Sequence, residues 1–217
     1  MKSSTERRRN GKTGLTDRGS TKSRTAKRGD LESGLQAASQ AFEAGREQDA
    51  VRILEPLANV APEVPEVREL LGLAFYRVGR YAAAAKELEA FASLAGSTEQ
   101  HPVLMDCRRA QKRYSEVVRL WDVLRSGSQR AAIVMEGRIV MAGSLADQGE
   151  LSSAIRLLER ATEPKGRVED HHARLWYALA DLEERVGNLA RARSLFDRVR
   201  TYSPNLADVT ERLAGLS

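Results

Sequence analysis

The chain of 217 residues contains little cysteine, few aromatic residues and no long apolar run. Its single cysteine, Cys107, has no internal partner for a disulfide, which argues against an oxidised secreted scaffold. No uncharged apolar stretch approaches the roughly 20 residues that a membrane-spanning helix needs. The first ten residues are basic and polar, without the apolar segment of a secretory signal peptide. These absences predict a cytoplasmic protein that makes no contact with a membrane.

Positive charge is concentrated at the start of the chain. Residues 1–30 carry ten basic and three acidic side chains, a net charge of +7, whereas the whole chain has +5. Residues 31–217 therefore carry a net charge of −2. The first thirty residues contain too few apolar side chains to offset the entropy that is lost on ordering. We expect residues 1–30 to form a disordered basic tail and residues 31–217 to form the folded domain.

A flexible basic tail is attracted to phosphate backbones, because binding releases counterions without reading the base sequence. This tail has no aromatic side chain on which a base could stack. It is equally consistent with a solubilising extension or with a start codon assigned too far upstream. If the tail binds nucleic acid, the contacts come from Arg7, Arg8, Arg9, Lys12, Arg24, Lys27 and Arg28.

Turn-forming residues recur at intervals typical of a helical repeat. Gly45, Gly79, Gly149 and Gly187 interrupt helical segments, and Lys112 occupies the remaining position of the series. Between these positions apolar residues recur three and four apart, which is the spacing of an amphipathic helix. No stretch alternates apolar and polar residues for long enough to form a strand. The pattern predicts an all-α fold.

The segment from Asp170 to Pro204 shows the repeat most clearly. Its characteristic residues are Trp176, Leu179, Ala180, Gly187, Ala192, Phe196 and Pro204. This spacing resembles the tetratricopeptide repeat, a pair of helices marked by characteristic tryptophan, leucine, alanine and aromatic positions. Glu183 departs from the pattern, because an aromatic residue is expected at that position. It predicts a terminal unit with a more hydrated groove.

Four further segments resemble the same repeat less closely. Residues 65–96 keep most of the pattern, whereas residues 31–62, 100–131 and 132–168 keep only part of it. The third unit has Met105 and Arg108 at positions where the pattern has other residues, so its packing is not predicted.

Small residues recur at one position of the first helix of a pair, at Gly72, Ala142 and Ala180. They predict a close approach between the two helices of each unit. No pair of helices can bury its apolar face alone, so neighbouring pairs must stack. The resemblance implies a right-handed solenoid of about five helical hairpins, closed by a capping helix in residues 205–216.

Side chains that could carry catalysis or bind a metal are few. His171 and His172 are neighbours, so on a helix they point about 100° apart and are better placed at a helix start than around a metal. Cys107 lies at a position that is usually small and apolar in this repeat. The sequence contains no nucleophile elbow, metal-ligand cluster or glycine-rich phosphate loop. We expect no catalytic residue, no metal site and no cofactor.

The resemblance implies that the first helix of each pair lines a concave groove, which receives a peptide or a helix of another protein. The groove positions include ten acids and four arginines, so we expect a net negative surface. Seven of the groove positions are Glu32, Phe42, Glu43, Glu99, Glu136, Asp147 and Arg185. The candidate binding residues are Glu66, Glu69, Leu73, Tyr76, Arg77, Asp106, Arg109, Arg174, Tyr177, Asp181 and Glu184.

The residue types in the groove favour one kind of partner. Chaperone-binding members of the family clamp a terminal carboxylate with lysine and asparagine, but the matching positions here are Leu35, Ser39, Glu69 and Leu73. An acidic tail is therefore disfavoured, and a basic or amphipathic segment with an apolar anchor near Tyr76 fits better. The alternative is that these acids only keep the surface soluble.

The sequence predicts a non-enzymatic adaptor or scaffold that binds another protein. The alternative is an RNA- or ribosome-associated protein that is anchored through its basic tail. Arginine outnumbers lysine 28 to 7, a bias typical of GC-rich genomes, which points to an actinobacterial source.

Overall fold

Eleven α-helices make up the part of the chain that the structure describes. The computed structural model describes residues 17–128, 130–164 and 166–216, with side chains from Gly29 onward. No strand occurs within these ranges. The helices are α1 (Asp17–Glu43), α2 (Glu47–Val60), α3 (Pro65–Arg77), α4 (Tyr81–Ala95), α5 (His101–Ala110), α6 (Tyr114–Gly127), α7 (Ala131–Asp147), α8 (Leu151–Glu159), α9 (Asp170–Arg185), α10 (Leu189–Tyr202) and α11 (Val209–Gly215).

Consecutive helices pack as antiparallel pairs because short turns connect them. The five pairs are α1–α2, α3–α4, α5–α6, α7–α8 and α9–α10, and we number the repeats in this order. Each second helix also packs against the first helix of the next repeat, and α11 packs on α10. The predicted right-handed solenoid of five hairpins with a capping helix is confirmed.

The turn inside each hairpin has the same geometry. In the second repeat, Gly79 has a φ of 77°, and the N–H of Arg80 donates to the carbonyl of Phe75 at 2.9 Å, which is a Schellman turn. Gly45, Gly149 and Gly187 adopt the same left-handed conformation. Lys112 does so as well, with a φ of 58°, although it has a side chain. All five predicted turn positions are confirmed.

The predicted close approach inside the hairpins is present at Gly72. A Cβ atom added to Gly72 would lie 2.7 Å from the side chain of Leu88 in α4. Ala142 and Ala180, at the same position of their repeats, are buried, with 1% and 0% of their surface exposed. The small residues therefore let each pair of helices pack without a gap.

Three apolar clusters follow one another along the solenoid. The first fills repeats one and two, and its largest side chains include Leu54, Leu71 and Leu88. The last fills repeats four and five around Trp176 and Phe196. A smaller cluster between them joins the third repeat to α7 of the fourth and consists of Met105, Val117, Trp121, Leu124 and Met141.

Helix α1 begins at Asp17, well before the boundary at residue 31 that composition predicts for the folded domain. Once the part of α1 that packs on α2 has formed, each further residue adds one hydrogen bond without a new nucleation cost. Residues 1–16, which include Arg7, Arg8, Arg9 and Lys12, lie outside the described residues. In the described part of the chain, no helix is both long enough and apolar enough to cross a membrane.

Candidate functional site on the concave face

The first helices of the repeats lie side by side, so equivalent residues form rows along the concave face. One row is a polar ladder that links three repeats. The hydroxyl of Tyr76 donates to Asp106 Oδ2 at 2.7 Å, and Asp106 Oδ1 accepts from Arg109 at 3.0 Å. Arg109 Nε in turn donates to Asp147 Oδ2 at 2.7 Å. The ladder therefore ties α3, α5 and α7 together at the floor of the groove.

The ladder changes the acid–base behaviour of its members. Burial, together with the hydrogen bond to Asp106, raises the pKa of Tyr76 above its ordinary range. Burial opposes the charge of Arg109, but the carboxylates of Asp147 and Asp106 outweigh it and raise the pKa of Arg109. The phenol and the guanidinium therefore both stay protonated at neutral pH. Neither side chain is set up as a base or a nucleophile.

Gly143 makes room for the ladder. A Cβ atom at this position in α7 would lie 3.0 Å from Arg109 Cζ. Its absence lets the guanidinium lie across α7 and reach Asp147 at the end of that helix. A larger residue would push Arg109 out of the groove floor.

A second row is apolar. Leu70, Val103, Val140 and Ala178 occupy the same position in repeats two to five, and all four are half-buried. Because part of each side chain faces the groove, the row offers a shallow apolar track along the floor. Leu73 is also half-buried and lies on α3, next to this row.

A third row is acidic and lies near the start of the first helices. Glu66, Glu99 and Glu136 occupy the same position in repeats two, three and four. Glu99 forms an ion pair with Arg130, and Glu136 forms one with Arg174. Glu66 is exposed and forms no ion pair with any residue that the structure describes. Its neighbour Glu69 accepts a hydrogen bond of 2.8 Å from Gln100, a neutral donor. Glu66 and Glu69 of the second repeat therefore keep negative charges that no described arginine neutralises.

The predicted binding residues at the far end of the groove contact the capping helix instead. Arg212 of α11 donates to Asp181 at 2.9 Å and to Glu184 at 2.7 Å. The hydroxyl of Tyr177 donates to Asp208, and burial followed by this bond raises its pKa to about 12. Tyr177, Asp181 and Glu184 of the fifth repeat therefore hold α11 in place.

Arg77 closes the near end of the groove. Its guanidinium lies 4.0 Å from the centre of the Phe42 ring and 3.4 Å from Glu47 Oε1. It therefore connects α3 to both helices of the first repeat, and it is still exposed to a partner.

A tetratricopeptide repeat model matches residues 35–97 and 139–207, which together cover more than half of the chain. The chain belongs to the tetratricopeptide repeat family. The unmatched stretch between the two segments contains the third repeat, where Met105 and Arg108 depart from the family pattern. Tetratricopeptide repeats generally mediate protein–protein interactions and scaffolding, and the proteins that contain them are typically not enzymes.

Solved structures of tetratricopeptide repeat proteins are similar along most of the chain. A thermophilic member from Thermus thermophilus is 18% identical, with a TM-score of 0.65, and the match covers 86% of this chain and 98% of that one. A member from Parabacteroides merdae is 20% identical, with a TM-score of 0.65 and coverages of 86% and 70%. A chain of the APC/C hetero-tetramer Cut9-Hcn1 is 14% identical, with a TM-score of 0.62 and coverages of 86% and 36%. No curated protein matches this chain.

Residues considered for chemistry have structural roles in this tetratricopeptide repeat protein. Cys107 is fully buried, and burial raises the pKa of its thiol to about 12, so it acts as a small apolar side chain. His172 Nδ1 accepts a hydrogen bond of 3.1 Å from the N–H of Glu169 in a capping box at the start of α9. Within the described ranges, no group of three or more histidine, cysteine or acidic side chains could hold a metal.

Sequence reasoning missed three residues that complete the concave face. Arg130, Asp208 and Arg212 all lie outside the first helices of the five hairpins, where groove residues are sought. The signal for them is spacing, because each pairs with a residue about one repeat away. The prediction of a hydrated groove at Glu183 is wrong, since this side chain is 3% exposed and pairs with Arg191 of α10 at 3.2 Å.

Proposed function

We propose that this protein is a non-enzymatic cytoplasmic adaptor that binds a basic, amphipathic peptide or helix of another protein in the concave groove. The binding centre is the second repeat, where Glu66 and Glu69 flank the half-buried side chains of Leu73 and Tyr76. The observation that carries the proposal is that these two acids, unlike Asp106 or Glu136, are not neutralised by a described arginine.

The three rows of the groove suit such a segment. The apolar row at Leu70, Val103 and Val140 would receive the apolar face of the partner. Lysine or arginine side chains at the edge of that face would reach Glu66 and Glu69. The polar ladder is already paired internally and would present Tyr76 as a flat anchoring surface rather than as a charge.

A fluorescence anisotropy titration with a labelled, amphipathic leucine–lysine peptide tests the proposal. We expect the combined change Glu66→Gln and Glu69→Gln to weaken binding by about five- to tenfold, because each exposed ion pair contributes up to about 1 kcal/mol. The matched control is Glu150→Gln with Glu211→Gln, which removes the same charge outside the groove. Equal weakening by both pairs would show that only the net charge matters.

A chain without its basic segment tests the RNA alternative. The +7 charge of residues 1–30 is the observation that favours it, and the side chains that would contact RNA, including Arg24, Lys27 and Arg28, are not among those described. If a chain beginning at Leu31 keeps its protein partner after nuclease treatment, the groove carries the function. If capture requires residues 1–30 and is lost with nuclease or at high salt, RNA binding carries it.

A further inference from the structure

Two arginines at the same position of the second and fourth repeats have different surroundings. Arg68 of α3 forms an ion pair of 2.5 Å with Glu87, and it donates to the carbonyls of Pro62 and Ala58 at 3.0 and 3.2 Å. Glu87 therefore compensates the positive charge of Arg68, and each of the three guanidinium nitrogen atoms donates a hydrogen bond. Arg138 of α7 is its counterpart in the fourth repeat.

Arg138 lacks the carboxylate that Arg68 has. The residue equivalent to Glu87 is Leu157, which offers Arg138 Nη1 only its backbone carbonyl, at 3.2 Å. Arg138 Nε is inaccessible to solvent and has no hydrogen-bond partner in the described part of the chain. Burial, and then the nearby charge of Arg160, lower the pKa of Arg138. A cation is therefore held in a place where no anion among the described residues balances it.

The space beside Arg138 is open because the fourth repeat ends differently from the others. Helix α8 ends at Glu159, and the connection to α9 runs from residue 160 to residue 169, longer than the connections between the other repeats. It leaves a cavity of about 480 Å³, which is lined by Arg138, Arg160, Arg167, His171 and His172 among others. Arg160 and Arg167 are exposed, and neither forms an ion pair with a described residue.

The two acids that line this cavity already have partners. Both oxygens of Glu163 accept hydrogen bonds from Arg198, at 3.0 and 3.1 Å. The side chain of Glu169 caps the start of α9 and lies 3.4 Å from His171 Nδ1. Neither carboxylate forms an ion pair with Arg138, Arg160 or Arg167. The cavity is therefore electropositive.

We propose that this cavity binds an oxyanion, a phosphate or carboxylate group, which supplies Arg138 with the counter-charge that Glu87 supplies to Arg68. Arg160 and Arg167 would complete the site from the connecting segment, since arginine presents several donors to such a group. The site lies at the junction of repeats four and five, away from the Glu66–Tyr76 part of the groove. It does not depend on the proposed partner.

An NMR titration of the full-length protein tests the site directly. Inorganic phosphate and acetate are added separately, with sodium chloride at matched ionic strength as the reference, and the backbone amide signals of residues 166–172 are followed. We expect a saturable shift with a Kd of about 1–10 mM for at least one anion, the range for a few charge-assisted hydrogen bonds. Tighter binding of phosphate assigns a phosphate group, and tighter binding of acetate assigns a carboxylate.

Two substitutions at Leu157 distinguish this site from weak binding to surface charge. Leu157→Glu supplies the carboxylate found in the second repeat and should weaken anion binding at least tenfold, whereas Leu157→Gln should leave it within about twofold. If Leu157→Glu does not fold, Arg138→Met serves as the second variant and should abolish the saturable shift. Shifts no larger than those with chloride, or unchanged binding by a folded Leu157→Glu or Arg138→Met variant, would overturn the proposal.

Discussion

Arg108 and Glu183 are buried at the same position of the third and fifth repeats, and they carry opposite charges within equivalent ion-pair networks. Arg108 pairs with Glu116 at 3.0 Å and also with Glu89 of the preceding repeat. Glu183 pairs with Arg191 at 3.2 Å, and Arg191 reaches the equivalent glutamate of its preceding repeat, Glu159, at 2.6 Å. The two repeats thus use one arrangement with the charges of its central pair exchanged.

This exchange predicts that the central pair can be reversed. Arg108→Glu alone should lower the free energy of unfolding by about 2–4 kcal/mol, because it places three carboxylates together at a site that is mostly buried. Adding Glu116→Arg recreates the arrangement of the fifth repeat and should restore more than half of the loss. Urea unfolding of the two single variants and the double variant measures the coupling. If the stability losses of the two single variants add up in the double variant, the two networks are not equivalent.

Adding a single methyl group at Gly72 should destabilise the protein through a steric clash. Gly72→Ala places a Cβ atom 2.7 Å from the side chain of Leu88 and 3.3 Å from its backbone nitrogen, so the two helices must move apart. We expect a loss of about 1–3 kcal/mol in the free energy of unfolding. Gly127→Ala, in α6, is the control, since its Cβ atom would meet nothing within 4 Å. Equal effects at both positions would contradict close packing at Gly72.

Replacing Lys112 with glycine should increase the stability of the protein. It adopts a left-handed φ of 58° at a turn where the other four repeats have glycine. Lys112→Gly should raise the free energy of unfolding by up to about 1 kcal/mol, because the strain of the side chain is removed. Lys112→Ala keeps that strain and is the control. Thermal unfolding of both variants measures the change in stability. A gain in stability with alanine but not with glycine would contradict the interpretation.

His101 predicts a dependence of stability on pH. Burial lowers its pKa in the folded protein, so the unfolded chain takes up the proton first as the pH falls. The contribution of His101 to the free energy of unfolding is complete above its pKa in the unfolded chain, about 6.5. It decreases as the pH drops from there towards the lowered pKa in the folded protein. His101→Gln should therefore flatten the decrease in unfolding free energy between about pH 7 and pH 5. Part of this pH dependence should remain in the variant, because burial also lowers the pKa of His171.

The repeat could be predicted in detail because its signals are local. The left-handed turn at Lys112 follows from spacing alone, and so do the helix pairs and the close contact at Gly72. The histidine pair is also placed correctly at the start of α9. The contacts that form each of these features lie within one hairpin.

The groove could be predicted less well because it depends on contacts between repeats. Spacing identifies Asp181 and Glu184 as groove positions, but it does not show that Arg212 of the last helix lies on them. The same limit applies to Glu183, because its partner Arg191 also pairs with Glu159 of the preceding repeat. Arg138 shows a different limit, because its lack of a carboxylate becomes visible only when its surroundings are compared with those of Arg68.

The small apolar cluster that joins α5, α6 and α7 has a mechanical consequence. The clusters on either side of it, around Leu71 and around Trp176, are larger and will resist bending more strongly. Bending stiffness should therefore be lowest near Met105 and Trp121, in the middle of the solenoid. The solenoid would then bend mainly in its middle, between two stiffer ends.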